Sequence, residues 1–330
     1  MLKEYLAAIK QKRVQKFIET AVDEGIKVEV LSSDFKILKF TDEKNEKLLY
    51  GEQFFLNRKP GTLFTKNKEI TKILLADAGL SVPEGIVAKN FEEAKKLMGN
   101  NSIDYPVVIK PIDAAKGLGV TVDVKDDEEL QTSIKKIEEC LKETTMSCSG
   151  EFLVETMKMG DDYRVLYLNG ESIACAQRVP ASVTGDGKNT IKFLIESFNK
   201  TRSSSYAIVI DEELMTILKD KGFTLDSVLK EDEYIRLREN ANISSGGKAL
   251  DKTKTMSERF KKIAICAAEK LDLDYAGVDI MTADISSDDP NQEYNIIEIN
   301  GAPDFDIHEK PVIDSEGIDV TRLLVRAFMK

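Results

Sequence analysis

Histidine occurs once in the 330-residue chain, at His308, which excludes every mechanism that needs two imidazoles. Cysteine is nearly as scarce: Cys140, Cys148, Cys175 and Cys266 form no C-x-x-C pair, so a zinc site of the usual Cys/His kind is effectively ruled out. Scattered thiols of this sort suit a reduced, cytoplasmic protein. No run approaches the roughly 20 apolar residues of a membrane span. The N-terminal MLKEYLAAIKQKR lacks the apolar centre of a secretory signal. Basic tracts are missing as well, and the net charge of −11 argues against a nucleic-acid partner. Neither internal repeats nor low-complexity tracts occur. What is present, 42% hydrophobic and 32% charged residues, is an ordinary globular composition in a chain long enough for two or three lobes.

Periodicity predicts a helix over 13–25, closed by Gly25, then short strands at VEVLSS and FKILKF. RKPGT at 58–62 is expected to be a turn or linker. A helix follows from Thr65 with Ile70, Ile73, Leu74 and Ala78 at helical spacing and Gly79 at its end, then another over 90–98. YPVVIKP is a buried strand, AAKGLGV a glycine loop and TVDV a strand. Leu130, Ile134, Ile137 and Leu141 mark one face of the next helix. After a loop at 143–150, EFLVE, YRVLYL and ESIACAQRV are strands, the last two joined by a tight turn at Asn169–Gly170. Residues 190–236 form a helical insertion. Residues 255–271 form a helix with Phe260, Ile263, Ala264, Ala267 and Leu271 inward. YAGVDIMTA and EYNIIEIN pair as a hairpin, and a helix spans 318–329. Helices and antiparallel hairpins alternating in blocks favour an α+β fold over a doubly wound parallel sheet. We divide it at 1–60, 61–150 and 151–330.

Alternation along a strand puts Glu298 and Asn300 on one face, and pairing with AGVDIM brings Asp279 to the same side. Two carboxylates and an amide oxygen are hard donors that suit Mg2+. Each alone is more often a polar residue on a wet sheet face, but their joint placement among apolar neighbours favours a metal. Lys110, ending an apolar strand, calls for an anion such as a triphosphate. Gly117 and Gly119, just beyond Lys116, would let backbone N–H groups close over phosphates. The spacing matches neither a Walker A loop nor a dinucleotide fingerprint. Arg164 and Arg178 lie on the two strands of the Asn169–Gly170 hairpin and could match a phosphate or carboxylate. Arg238 precedes the amide-rich ENANISSGG, which holds Asn242. Either arginine taken alone is more often a surface ion-pair partner, and His308 more often structural than catalytic.

From about residue 61 onward the chain resembles the ATP-grasp superfamily, and within it the ligase part of cyanophycin synthetases and bifunctional glutathione synthetases. The segments that carry the likeness are FTKNKEITKILLADAGLSVPEG, YPVVIKP, RVLYLNGESIACAQRVPASVTGDGKNTI, LRENANISSGGKALD, GVDIM and IIEINGAP. The resemblance implies two lobes of antiparallel sheet enclosing ATP, preceded by a small N-terminal segment. It implies Lys68, Lys110 and the Lys116–Gly119 loop at the phosphates, Glu155 at the adenine hinge and Asp162 at the ribose. It places two Mg2+ ions, for which Mn2+ could substitute, at Asp279, Glu298 and Asn300. Arg178, Arg238 and Asn242 would face the transferring phosphate and the acyl phosphate. An amino acid or short peptide would be activated at its carboxylate and captured by an amine, in a monomer or homodimer. Two other readings stay open: a nucleotide-binding regulatory module without chemistry, and a small-molecule kinase. The family's usual apolar-Gly-Leu-Arg-Met-His run reads here Pro-Asp304-Phe305-Asp306-Ile307-His308, which hints at a cationic or differently charged partner. No Mur-ligase-like or glutamate–cysteine ligase half accompanies the sequence, so neither full bifunctional activity is expected.

Overall fold

The computed structural model describes residues 2–9, 11–50, 56–57, 59–114, 117–143, 149–200, 206–241, 243–309 and 317–330. The chain opens with α1 (Leu2–Ala8), α2 (Lys12–Asp23) and an antiparallel sheet of β1 (Lys27–Ser32), β2 (Ile37–Thr41) and β3 (Glu46–Tyr50) in that order. Strand β3 is not evident in the sequence: it is short, and only Leu49 is buried. Val14, Phe17, Ile18 and Ala21 form the apolar stripe of α2, which packs on Leu38 and Phe40. The C-terminal helix (Val320–Met329) completes this core. Phe328 meets Phe17 and Phe40 edge-on at ring distances of 5.6 and 5.4 Å, as aromatic quadrupoles prefer. The same core takes in Leu166, Leu168, Tyr275 and Phe305, so the N-terminal segment is built onto the later sheet rather than tethered to it. Phe40→Ala is expected to cost about 3–5 kcal/mol of unfolding free energy in a urea titration.

Where 58–62 was expected to be a turn or linker, a short helix forms instead, α3 (Lys59–Phe64). Pro60 sits in its first turn, where a missing N–H is tolerated. Then come α4 (Lys68–Asp77), β4 (Gly85–Ala88), α5 (Phe91–Asn100), β5 (Val107–Pro111), β6 (Thr121–Val124), α6 (Asp127–Glu143) and β7 (Phe152–Thr156). Four of these form an antiparallel sheet in the order β4-β7-β5-β6, with α5 and α6 burying Ala94, Met98, Leu130, Ile134 and Ile137 on it. The sheet thus takes in β7, which lies beyond the expected boundary at 150. Helix α4 is phased differently from its apolar spacing. Ile70 and Ile73 are exposed, while Thr71, Lys72 and Leu75 face inward. Polar contacts set that rotation: the Thr71 hydroxyl donates to Phe64 O at 2.9 Å, and the Lys72 ammonium reaches Glu155 at 2.9 Å.

The remaining elements are β8 (Asp161–Leu168), β9 (Glu171–Val179), β10 (Ser182–Thr184), α7 (Ile191–Lys200), α8 (Glu212–Asp220), β11 (Tyr234–Arg236), β12 (Lys248–Asp251), α9 (Glu258–Lys270), β13 (Tyr275–Thr282), β14 (Tyr294–Asn300), α10 (Asp306–Glu309) and α11 (Val320–Met329). A five-stranded antiparallel sheet runs β12-β9-β8-β13-β14. Asn169 (φ 48°) and Gly170 (φ 91°) turn β8 into β9 with the two positive φ values that a two-residue hairpin favours. The insertion has its own core of Ile191, Ile195, Leu214, Leu218 and Ile235, closed by the β10–β11 pair. One face of the large sheet, with Val165, Cys175, Val278, Ile280 and Ile299, packs under α9. The alternation that sends these residues inward leaves the opposite face to Leu166, Leu168 and Tyr275 of the N-terminal core at one end and to charged residues at the other. Among the described residues no helix is long and apolar enough to cross a membrane.

Candidate active site

Cross-strand register sets out that charged face. Asp279 on β13 lies opposite Glu298 on β14 and Arg164 on β8, while Gly277 lies opposite Asn300. Asp162 on β8 lies opposite Arg178 on β9. Residues opposite one another on antiparallel strands have Cβ atoms about 4.5–5.5 Å apart, so the row is a contiguous strip of side chains. Gly277 leaves room for the chain beyond β14 to fold back: a Cβ there would lie 2.7 Å from Pro303 and 3.4 Å from the Arg164 side chain.

Asp279 is only 3% exposed, and its carboxylate is held by two guanidinium groups. Arg164 donates to both oxygens at 2.6 Å, and Arg178 approaches at 3.0 Å while also donating to Asp162 at 2.6 Å. Burial alone would raise the Asp279 pKa, but the two arginines outweigh it and hold it below the usual carboxylate value. Burial likewise works against the Arg178 charge, and Asp279 and Asp162 overcome it.

A second charged group faces this strip from helix α4. Lys68, the first residue of α4, donates to Ala114 O at 2.5 Å, where the glycine loop begins, and lies 3.9 Å from Glu298. It is therefore the link between that loop and β14. Burial holds its pKa below the ordinary lysine value, with Glu298 opposing and Lys110 adding to the depression. Lys110 and Lys72 reach Glu155 at 2.5 and 2.9 Å, forming a buried Lys–Glu–Lys triad. Within the loop, Gly117 and Gly119 both take positive φ (74° and 70°), and a Cβ at Gly119 would lie 3.1 Å from Pro111 and 3.3 Å from Ile137.

The structure thus gathers Lys68, Lys110, Glu155, Asp162, Arg178, Asp279, Glu298 and Asn300 around one strip. It treats Arg238 differently. That guanidinium is 2% exposed and bound to Asp211, the N-cap of α8, at 2.6 and 2.8 Å, with further contacts to Val209 O and Glu213. It clamps the insertion, because the buried charge is satisfied there by a bidentate carboxylate. Lys116 and Asn242 lie outside the described residues. Sequence reasoning missed Lys72, because the apolar spacing of α4 pointed to another face. It also left Arg164 without a partner, although the β8–β13 pairing supplies one.

Among the described residues no group of three His, Cys, Asp or Glu side chains is arranged to hold a metal ion. The candidate donors are mixed: the Glu298 carboxylate, which keeps 35% of its side-chain exposure, and the Asn300 amide, of which the oxygen would be the ligand. These two fit a hard divalent cation. Asp279 sits beside them but is committed to the arginines, so it fits only if their bonds are shared.

Comparison with known proteins gives a consistent picture. The model of the prokaryotic glutathione synthetase ATP-grasp domain matches residues 71–235, and that of the RimK-like ATP-grasp domain matches residues 224–327. A cyanophycin synthetase of Synechocystis sp. is 39% identical over 254 residues, which is 74% of this chain but 28% of that protein. The glutathione biosynthesis bifunctional protein GshAB of Enterococcus faecalis is 30% identical over 309 residues, 90% of this chain and 40% of that one. The chain therefore spans well under half the length of these curated relatives. In the crystal structure of a bifunctional glutathione synthetase from Pasteurella multocida, the fold superposes with a TM-score of 0.69 at 26% identity, covering 96% of this chain and 44% of that one.

Proposed function

The chain belongs to the ATP-grasp family, and from that premise we propose that it joins a carboxylate to an amine at the expense of ATP, through an acyl phosphate, releasing ADP and phosphate. The observation that carries this reading is the position of Lys68, bonded to the start of the glycine loop on one side and 3.9 Å from Glu298 on the other. A phosphate-binding element and a divalent-cation element are useful together only if one polyphosphate spans them. Phosphoryl transfer needs positioning and charge neutralisation rather than a covalent protein group.

In this reading Lys68 and Lys110 meet the phosphates, and Glu155 and Asp162 orient the base and the ribose. Glu298 and Asn300, with Asp279 beside them, would hold Mg2+, which supplies charge neutralisation at the terminal phosphates. Arg164 and Arg178 hold positive charge beside the carboxylate being activated. The glycine loop would exclude water from the acyl phosphate. The substrates proposed are an amino acid or short peptide and an amine, and three free cysteines among the described residues, at 140, 175 and 266, suit a cytoplasmic setting.

The test is phosphate release from Mg-ATP over amino acids and dipeptides in all pairwise combinations, with mass spectrometry of the products. Amine-dependent release with a condensed product supports ligation. Release without an amine requirement would show a kinase, and binding without release a regulatory module. Lys110→Ala is expected to raise the KM for ATP about 10- to 100-fold, the worth of a hydrogen bond to a charged group. Lys72 stays on Glu155 in that variant, so the fold should persist, and an unchanged KM would remove Lys110 from the nucleotide site.

A further inference from the structure

The N-terminal sheet turns large apolar side chains to solvent. Leu38, Phe40 and Leu49 point into its core, with Val28 and Val30 packed against them. Alternation sends their neighbours to the opposite face. The ladder arranges these outward residues as a grid. Lys27, Thr41 and Glu46 lie abreast in one row, Glu29, Lys39 and Leu48 in the next, and Ser32, Ile37 and Tyr50 in a third. Leu31 is the extra residue at the bulge beside Ser32. Phe35 closes that end in the β1–β2 turn, where its N–H donates to the Ser32 hydroxyl at 3.2 Å. Leu31, Phe35, Leu48 and Tyr50 are 54%, 70%, 58% and 63% exposed. One end of the face is therefore apolar, and an apolar patch held together by a sheet marks a surface that is covered in use. Strand β3 is also an edge, paired only with β2 among the described residues.

The other end of the face carries charges that cancel. Lys27 lies 2.9 Å from Glu29, Glu29 lies 3.3 Å from Lys39, and Lys39 lies 3.7 Å from Glu46. A face without net charge, on a chain of net charge −11, offers no field to a strongly charged partner and no repulsion to a second copy.

The grid is its own complement. A second copy turned about an axis along β2 lays its β3 over β1 and its β1 over β3, with the rows kept in step. Lys27 then meets Glu46 of that copy, and Glu46 meets Lys27. Leu31 meets Tyr50, and Ile37 and Thr41 meet themselves. Lys39 also meets itself, but Glu29 and Glu46 already neutralise it. An axis across the strands would instead lay the apolar row on Lys27 and Glu46 and bury those charges unpaired, which is costly.

We propose that two copies of this chain pack face to face through the outer side of β1–β3, about a twofold axis along β2. Closed twofold contacts require this kind of self-complementary patch, and aligned sheets stack about 10 Å apart with their side chains interleaved. Three strands of five or six residues make a small interface. The dimer is accordingly weak, with a dissociation constant on the order of 10 μM. It does not depend on the ligase reading, since the charged strip lies on another sheet.

Sedimentation velocity on the full chain, from about 1 to 300 μM, is the test. The parent should pass from monomer to dimer over that range. Leu31→Glu/Tyr50→Glu should weaken association about tenfold or more, with an unchanged circular dichroism spectrum because both side chains are exposed. Lys27→Glu and Glu46→Lys should each weaken it about 3- to 10-fold by setting like charges against each other. The combined Lys27→Glu/Glu46→Lys should restore it, since the facing charges are opposite again. A parent that stays monomeric throughout overturns the proposal. So does a dimer that Leu31→Glu/Tyr50→Glu leaves intact, which would join through another face, and so does a combined reversal no better than the weaker single one. The charge-reversal series decides even where the double glutamate variant fails to fold.

Discussion

Glu298→Gln protein should fold like the parent, bind ATP, and release phosphate on the order of a thousandfold more slowly. Both halves of that expectation come from the same geometry. The Glu298 side chain keeps 35% of its exposure, and its closest cation is Lys68 at 3.9 Å, a partly solvated pair that is worth little to stability. Removing the charge therefore leaves the β13–β14 hairpin intact. What it removes is the better-exposed carboxylate of the candidate cation site, since Asp279 is already held by Arg164 and Arg178. A neutral amide of the same shape keeps the oxygen but not the charge that draws in Mg2+. Thermal unfolding and single-turnover phosphate release on the same preparation separate the two effects. Parent-like turnover in Glu298→Gln would take this carboxylate out of the chemistry, and a large loss of stability would give it a structural role that its exposure does not suggest.

Much of this was legible in the sequence because strand alternation is a strict rule. NIIEIN and AGVDIM put Asp279, Glu298 and Asn300 on one side, and the structure pairs Asp279 with Glu298 and Gly277 with Asn300. The Asn169–Gly170 turn and the apolar stripes of α6 and α9 were equally plain, since each is a local pattern with one favourable solution. Helix α4 was not. Its apolar residues Ile70 and Ile73 point outward, and the buried Lys72 is there because Glu155, 83 residues later, receives its ammonium. No local pattern carries such a partner. The same holds for Arg164 and Asp279, 115 residues apart, and for Arg238, whose bidentate bond to Asp211 fixes the insertion. The burial of His308 was hidden for a related reason: a four-residue helix has no periodicity to read, and only the return of the chain over Gly277 places it under cover.

Asp279→Asn should be the most destabilising single polar substitution in the strip, at about 3–5 kcal/mol, because it leaves the Arg164 guanidinium without its carboxylate and weakens the hold on Arg178. Arg178 would keep Asp162, but Arg164 would lose the acceptor for both of its 2.6 Å bonds. A carboxylate buried for packing alone could be replaced at little cost, whereas one that neutralises two neighbours cannot. The pH dependence follows from the sign of the shift. The folded-state pKa of Asp279 is lowered, so its contribution is present above the unfolded carboxylate value of about 3.9 and is lost as the pH falls through the folded value. Urea unfolding of parent and variant should therefore differ fully near neutrality and converge below about pH 4. Equal stability at neutral pH would show that the arginines find other partners. Because the double variant Arg164→Met/Asp279→Asn removes the stranded charge as well, it should be less destabilised than the two single variants added together, by the coupling of the pair. A strictly additive result would mean that the two side chains share a site without sharing energy, and the electrostatic account of this face of the sheet would have to be rebuilt around Arg178 and Asp162 alone.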